Sequence, residues 1–262
     1  MNNTKTIITA ALEAGKAILD VYKTDFNVEF KDDASPLTLA DKNAHNIIFN
    51  HLKKTGIPVL SEEGRQISYD ERKQWRALWI VDPLDGTKEF VKKNGEFTVN
   101  IALVKNQIPV MGVVYAPVLD ILYFGELSTG AYKVADASQK ENILEEFNVG
   151  NSIPAAGNKG YFGVVASRSH LTKETEEFLE SLKNKHGNIK IVSKGSSLKL
   201  CLVAEGEADI YPRFAPTMEW DTAAGDAVVR AAGGRVNQAN SETPLVYNKE
   251  NLLNPWFVVT RK

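Results

Sequence analysis

Cysteine occurs once in 262 residues, at Cys201, which excludes an intrachain disulfide and a cysteine zinc cluster and suits a reducing compartment. Histidine occurs four times, and His45, His51 and His186 carry no visible motif. Neither sign of charge dominates: 31 Lys and Arg stand against 33 Asp and Glu, a net charge of −2. No global positive field recommends nucleic acid or an anionic membrane, and an anionic substrate would need a local basic pocket. No apolar run approaches a membrane span, and the N-terminus lacks an extended apolar leader, so the expectation is a cytoplasmic chain, with peripheral association at an inner membrane left open. Repeats and low-complexity tracts are also missing. What remains is 43% hydrophobic and long enough for one large domain or two closely packed lobes.

The most informative stretch is Trp79 to Phe90, Trp-Ile-Val-Asp-Pro-Leu-Asp-Gly-Thr-Lys-Glu-Phe. Its apolar start, Leu78 to Val81, reads as a buried strand that breaks at Asp82-Pro83. Pro83 and Gly86 bracket a tight turn that brings Asp85 close to Asp82, and Gly86 lets backbone N–H groups approach a ligand. Such oxygen ligands suit a hard divalent cation such as Mg²⁺. Asp-Pro and Asp-Gly are also ordinary turn formers, so this stretch alone does not decide between a metal site and a surface turn. Two further acidic stretches favour the metal. Ile57 to Gly64 reads as another short strand ending in Glu62 and Glu63, and Asp221 precedes a helix of small residues that it or Thr222 could cap.

Ser61-Glu62-Glu63, Asp82-Pro83-Leu84-Asp85-Gly86-Thr87 and Trp220-Asp221-Thr222-Ala223-Ala224-Gly225 together resemble the inositol monophosphatase superfamily of Mg²⁺-dependent, Li⁺-sensitive phosphatases. Within it, Lys88-Glu89-Phe90 and Asn94-Gly95-Glu96-Phe97-Thr98-Val99-Asn100 are similar to the 3′(2′),5′-bisphosphate nucleotidases of the CysQ type, where inositol phosphatases usually carry Thr-Asn-Phe. The resemblance implies an α/β fold of stacked α-β-α-β-α layers with the site between two lobes, expected here as 1–150 and 151–262. It implies two or three Mg²⁺ ions held by Glu62, Asp82, Asp85, Asp221 and the Leu84 carbonyl. Thr87 and Glu62 would activate the attacking water, and the Gly86 and Thr87 N–H groups would bind phosphate. Thr87 also reads as a helix cap. Asp41 has two readings: acid of a capping box with Thr38, or the family's support for a further metal or water in Lys-x-Asp-x-Ser-Pro-x-Thr-x-x-Asp. By motif match, Ser196, Lys199 and Arg213 are the candidate substrate contacts, with a solvated surface charge as the alternative for either cation; His170 also matches a family nucleotide contact, although lone histidines are more often structural.

Along the chain, apolar spacing predicts helices over Thr6–Tyr22 and about Leu39–Lys54, the latter ended by Gly56. An antiparallel meander is expected from Phe97 to Val134, a polar boundary from Ala135 to Lys159, and then alternation: strands at Gly163–Ala166, Ile189–Ser193 and Asp209–Tyr211, with helices at Lys173–Lys185 and Ser196–Glu205. A small-residue helix over Ala223–Ala232 and a strand at Phe257–Thr260 complete it.

The resemblance implies hydrolysis of adenosine 3′,5′-bisphosphate to AMP and phosphate, with a small-molecule nucleotide bisphosphate as partner, no nucleic acid, and a monomer or homodimer. An inositol or sugar phosphatase of the same superfamily is the alternative enzyme. A regulatory protein that contacts RNA or transcription machinery is the non-enzyme alternative, and the intact acids and the lack of basic excess stand against it.

Overall fold

In the computed structural model, residues 3–24, 28–30, 36–154, 159–166 and 172–261 are described. Helix α1 (Asn3–Tyr22) buries Ile7, Ile8, Ala11, Ala14 and Ile18, the face its periodicity predicts. The backbones of β1 (Val28–Phe30) and β2 (Pro36–Thr38) pair antiparallel ahead of α2 (Leu39–Leu52). A 3₁₀ turn at Lys53–Thr55 and the left-handed Gly56 (φ +72°) close that helix.

Among the described residues, the main sheet has seven strands, in the order of the chain. They are β3 (Val59–Ser61), β4 (Ala77–Asp85), β5 (Thr98–Lys105), β6 (Ile108–Ala116), β7 (Ile121–Glu126), β8 (Gly130–Ala135) and β9 (Ser152–Ile153). β3 runs parallel to β4, with the short helix α3 (Tyr69–Arg72) on the crossover, and the other pairings are antiparallel. Asn106 and Gln107 turn β5 into β6 with φ of +47° and +66°, the left-handed pair that a two-residue hairpin requires.

Downstream lie α4 (Thr87–Val91), α5 (Lys173–His186), α6 (Leu198–Ala204) and α7 (Glu219–Ala231). The second sheet, five strands among the described residues, is ordered β11-β10-β12-β14-β13. Its members are β10 (Phe162–Val165), β11 (Ile189–Val192), β12 (Ile210–Arg213), β13 (Arg235–Gln238) and β14 (Phe257–Thr260).

Alternation along β4 to β7 sorts the core into layers. Trp79, Val81, Ile101, Val113 and Tyr115 face α1 and α2. Leu78, Ile80, Ala102 and Val114 face the other way, where α6, α7 and one side of the second sheet (Tyr211, Phe257, Val259) complete a shared core. Leu179 and Leu182 of α5 cover the far side through Val164 and Ile210. The order is therefore helices, sheet, helices, sheet, helix, as the layered α/β reading expected. No described helix is long and apolar enough to cross a membrane.

Three local expectations need correction. β4 does not stop at Asp82: Asp82 pairs with Asn100, the register slips, and pairing resumes at Asp85 with Thr98. Pro83 has no N–H to give, so the strand bulges instead of ending. Helix α7 starts at Glu219 rather than Ala223, which puts Asp221 and Thr222 inside the first turn. Nor had β1, β2, β9, β13, α3 and α4 been expected, because each is short and has no clear periodicity.

Helix α7 lies on the main sheet at two glycines. A Cβ on Gly112 would sit 2.5 Å from the Ala224 carbonyl, and one on Gly125 2.6 Å from the Val228 Cα, both backbone atoms that cannot swing aside. Gly112→Ala should therefore lower stability by about 1 to 3 kcal/mol, the cost of overpacking. At about 2 to 4 °C per kcal/mol for a chain of this size, thermal unfolding should show a loss of several degrees.

Candidate active site

The bulge of β4 and three neighbouring segments bring the expected acids together. Because β3 and β4 are parallel, their C-terminal ends emerge side by side, and the Glu62 N–H is held by the Val81 carbonyl at 3.1 Å. The Glu62 carboxylate bears directly on the Asp82 carboxyl. Asp82 is buried, and its Oδ1 accepts the Leu84 N–H at 3.0 Å. Asp85 Oδ2 accepts the Ser197 N–H at 2.6 Å and the Asn100 amide at 3.4 Å. Asp221, the third residue of α7, accepts the Met218 N–H at 2.9 Å and so caps the helix from inside its first turn.

Asp41 takes the capping reading. Its Oδ2 accepts the Thr38 N–H at 2.8 Å and the Thr38 hydroxyl at 2.6 Å, completing a capping box in which the Thr38 hydroxyl accepts from Ala40. Its Oδ1 accepts the Thr87 hydroxyl at 3.4 Å. That hydroxyl also lies 3.3 Å from the Leu84 carbonyl. Thr87 is not the cap of α4: Gly86 (φ +92°) takes that position, where side chains of L-residues are strained. In each of the four Asp residues, one carboxylate oxygen takes a backbone N–H.

The electrostatics tie these segments into one field. Burial, followed by the charges of Glu62, Asp85 and Asp221, pushes the Asp82 carboxyl well above its ordinary range. Burial raises Asp85 to about 6, against the pull of Lys199 and the Ser197 N–H. Burial and the neighbouring Asp85 raise Asp221 to about 7, opposed by the Met218 N–H and Arg213. Among the described residues, no group of three or more His, Cys, Asp or Glu side chains is arranged to hold a metal ion as it stands. The donor set nevertheless fits a hard divalent cation: crowded carboxylate oxygens whose mutual repulsion only a positive charge can relieve.

The other expected residues lie around this cluster. The Ser196 hydroxyl lies 2.8 Å from the carbonyls of both Asp85 and Glu96, so its hydrogen is spent on backbone oxygen, contrary to a free substrate contact. Lys199 donates to the Ser196 carbonyl at 3.2 Å and lies in the field of Asp85. Arg213 donates through Nη2 to the Pro216 carbonyl at 3.1 Å, while its buried Nε has no partner among the described residues. His170 lies outside the described residues. Cys201 is buried in the shared core, where it packs as a small hydrophobe. His45, half-buried, meets the Ser61 hydroxyl at 2.9 Å.

Sequence reasoning passed over the residues that brace these groups. Glu219 is fully buried and receives the N–H groups of Asn248 (2.6 Å) and Lys249 (3.0 Å) and the Lys249 ammonium (2.6 Å). Asn254 donates to the Met218 carbonyl at 2.8 Å and to the Thr222 hydroxyl at 3.0 Å. These contacts fix the start of α7 and with it Asp221. The one available signal was an acid directly before the Trp-Asp-Thr motif.

Nearly the whole chain is similar to known proteins. The inositol monophosphatase family profile matches residues 2–256. The 3′(2′),5′-bisphosphate nucleotidase CysQ of Salmonella typhimurium is 45% identical over 254 residues, covering 95% of this chain and 96% of that protein. The CysQ of Escherichia coli K12 is 45% identical over 255 residues, with the same coverage. The crystal structure of CysQ from Bacteroides thetaiotaomicron, described as a bacterial member of the inositol monophosphatase family, is 55% identical, with a TM-score of 0.91 over 99% of this chain and 97% of that one.

The raised carboxyls have a consequence for stability. Unfolded aspartates titrate near about 4, whereas Asp85 and Asp221 hold their protons up to about 6 and about 7. Across that window the native, metal-free chain binds more protons than the unfolded one, so its stability is greatest at the acid end and falls as pH rises. With divalent cations chelated, Asp221→Asn, whose amide oxygen can still accept the Met218 N–H, should melt several degrees above wild type at about pH 7.5. The gain should shrink at about pH 5, and a pH-independent difference in thermal melts would disprove the shared field.

Proposed function

This chain belongs to the inositol monophosphatase family, and from that membership we propose that it is a metal-dependent 3′(2′),5′-bisphosphate nucleotidase that hydrolyses adenosine 3′,5′-bisphosphate to AMP and phosphate. The observation that carries the reading is the convergence of Glu62, Asp82, Asp85 and Asp221 from four segments onto one electrostatic field, with Lys199 and Arg213 at its edge. We propose Mg²⁺, two or three ions, as the cofactor. Bound divalent cations supply a water acidic enough to attack at neutral pH and positive charge for the phosphoryl oxygens.

The four acids and the Leu84 carbonyl would hold the cations. The Thr87 hydroxyl, which lies between the Leu84 carbonyl and Asp41 Oδ1, would orient the attacking water together with Glu62. Asp41 keeps that hydroxyl pointed, which reconciles its capping role with a catalytic one. The N–H groups of Gly86 and Thr87 would receive the scissile phosphate where the bulge of β4 passes into α4.

The second phosphate needs its own cations. The buried Nε of Arg213, without a partner among the described residues, is a donor for an anionic oxygen, and Lys199 supplies a point charge. The Ser196 hydroxyl keeps the Lys199-bearing segment attached to the acids. We treat residues 1–150 and 151–262 as two lobes around this site, sharing the core through α7 and the main sheet.

Asp82→Asn should abolish most phosphate release while leaving the fold intact, and near-normal turnover at saturating Mg²⁺ would remove Asp82 from the ligand set. Lys199→Ala and Arg213→Ala should each lower kcat/KM for adenosine 3′,5′-bisphosphate by roughly tenfold or more, the size of a lost charge-assisted contact. A substrate bearing only the scissile phosphate should be affected far less. Equal losses on both would assign these cations to the acid cluster itself, and comparable wild-type turnover of inositol 1-phosphate would replace the nucleotidase with a broad phosphatase.

A further inference from the structure

We propose that Ser197 and Asn100 are positioning residues for the Asp85 carboxylate, and that they couple the metal-holding end of β4 to the Lys199-bearing segment, so that the cation and the second phosphate bind cooperatively. The proposal rests on the reading of Asp85 as a metal ligand.

Thr98, Asn100 and Ser197 are buried, and their side chains form a relay with one direction. Asn100 Oδ1 only accepts, so Ser197 Oγ gives it its single hydrogen, at 2.7 Å. The Thr98 hydroxyl, 2.8 Å from Ser197 Oγ, must then be the donor in that contact. This orientation turns the Asn100 amide nitrogen toward Asp85 Oδ2, at 3.4 Å. Flipping the amide would set its oxygen against the Asp85 carboxylate, an acceptor facing an acceptor. The relay returns to its origin, because Thr98 is the ladder partner of Asp85.

The Ser197 N–H reaches the same Asp85 oxygen at 2.6 Å. One carboxylate oxygen is thus fixed by two donors, while among the described residues no hydrogen bond reaches Oδ1. A carboxylate held in this way presents a single, oriented oxygen to a cation.

The segment that supplies Ser197 is fastened at further points. The Gly195 N–H binds Glu96 Oε2 at 2.9 Å, and a Cβ on Gly195 would lie 2.6 Å from the Glu96 carbonyl. The Ser196 hydroxyl spans the carbonyls of Asp85 and Glu96, and the Lys199 ammonium is tied to the Ser196 carbonyl. A ligand that draws on Lys199 therefore acts on the element that orients Asp85, and a cation on Asp85 acts back on Lys199. Such coupling is reciprocal by thermodynamic necessity.

The test uses the full-length protein and Mn²⁺ as a paramagnetic probe. Free Mn²⁺ is titrated by EPR without substrate, and the KM for adenosine 3′,5′-bisphosphate is followed against Mg²⁺ concentration. Ser197→Ala, which keeps the backbone N–H and removes the relay hydroxyl, should weaken Mn²⁺ binding roughly threefold to tenfold, the range expected for an ordinary hydrogen bond. It should also flatten the dependence of KM on Mg²⁺. Asn100→Leu should do the same, and if it fails to fold, Ser197→Ala alone decides. Asp85→Asn is the control. If it binds Mn²⁺ weakly while Ser197→Ala binds like wild type, positioning is overturned and the ligand reading stands. If Asp85→Asn also binds like wild type, the ligand reading fails and takes the proposal with it. An unchanged dependence of KM on Mg²⁺ in Ser197→Ala overturns the coupling.

Discussion

Like charges crowded at the end of a strand repel one another, and the fold holds them with a backbone N–H delivered to each Asp from a defined place. Leu84 supplies it to Asp82 from within the bulge, Ser197 to Asp85 from across the molecule, Met218 to Asp221 from the turn before α7, and Thr38 to Asp41 from the turn before α2. Two of these four are helix starts, where unpaired N–H groups favour a carboxylate without adding a positive side chain that would compete with a cation. The acids are therefore oriented but not neutralised, which is why burial and mutual repulsion leave Asp82, Asp85 and Asp221 with raised pKa values.

The layers follow from that need. Orienting Asp221 requires α7 to lie directly on the main sheet, and Gly112 and Gly125 permit the approach by presenting no Cβ to its backbone. The helix start is then locked by the buried Glu219 and by Asn254. Orienting Asp85 requires the segment before α6 to reach the edge of the bulge, and the same α6 and α7 that carry these contacts fill the space between the two sheets. Core and site share their elements, so a packing change in α7 is also a change in the site.

Much of this was legible in the sequence because the relevant signals are local. Apolar spacing marked α1, α2 and the meander, and the Asp-Pro-Leu-Asp-Gly stretch marked the turn that gathers acids. Thr38 and Asp41 announced their capping box at the spacing such a box demands. What escaped was decided by partners distant in sequence. Whether Pro83 ends a strand or bulges it depends on β5 continuing alongside to pair Thr98 with Asp85. Asp221 read as a candidate cap because the turn that places Met218 before it is held by distant contacts, the Asn254 amide on the Met218 carbonyl among them. Ser196 read as a substrate contact on motif alone, and only the fold shows its hydroxyl between two backbone carbonyls. Thr98, Asn100 and Ser197 look like ordinary polar residues until the chain places them in one buried relay.

The N–H that orients Asp85 comes from a residue 112 positions later in the chain. During synthesis, Asp82 and Asp85 emerge long before Ser197 or Asp221, so a nascent chain lacks the donors that set its acids. Closing so long a loop is entropically costly and slow, and contacts that reward it form late. A cation that needs the oriented cluster would bind only the completed chain, stabilising the finished fold by mass action and leaving partial products without that support.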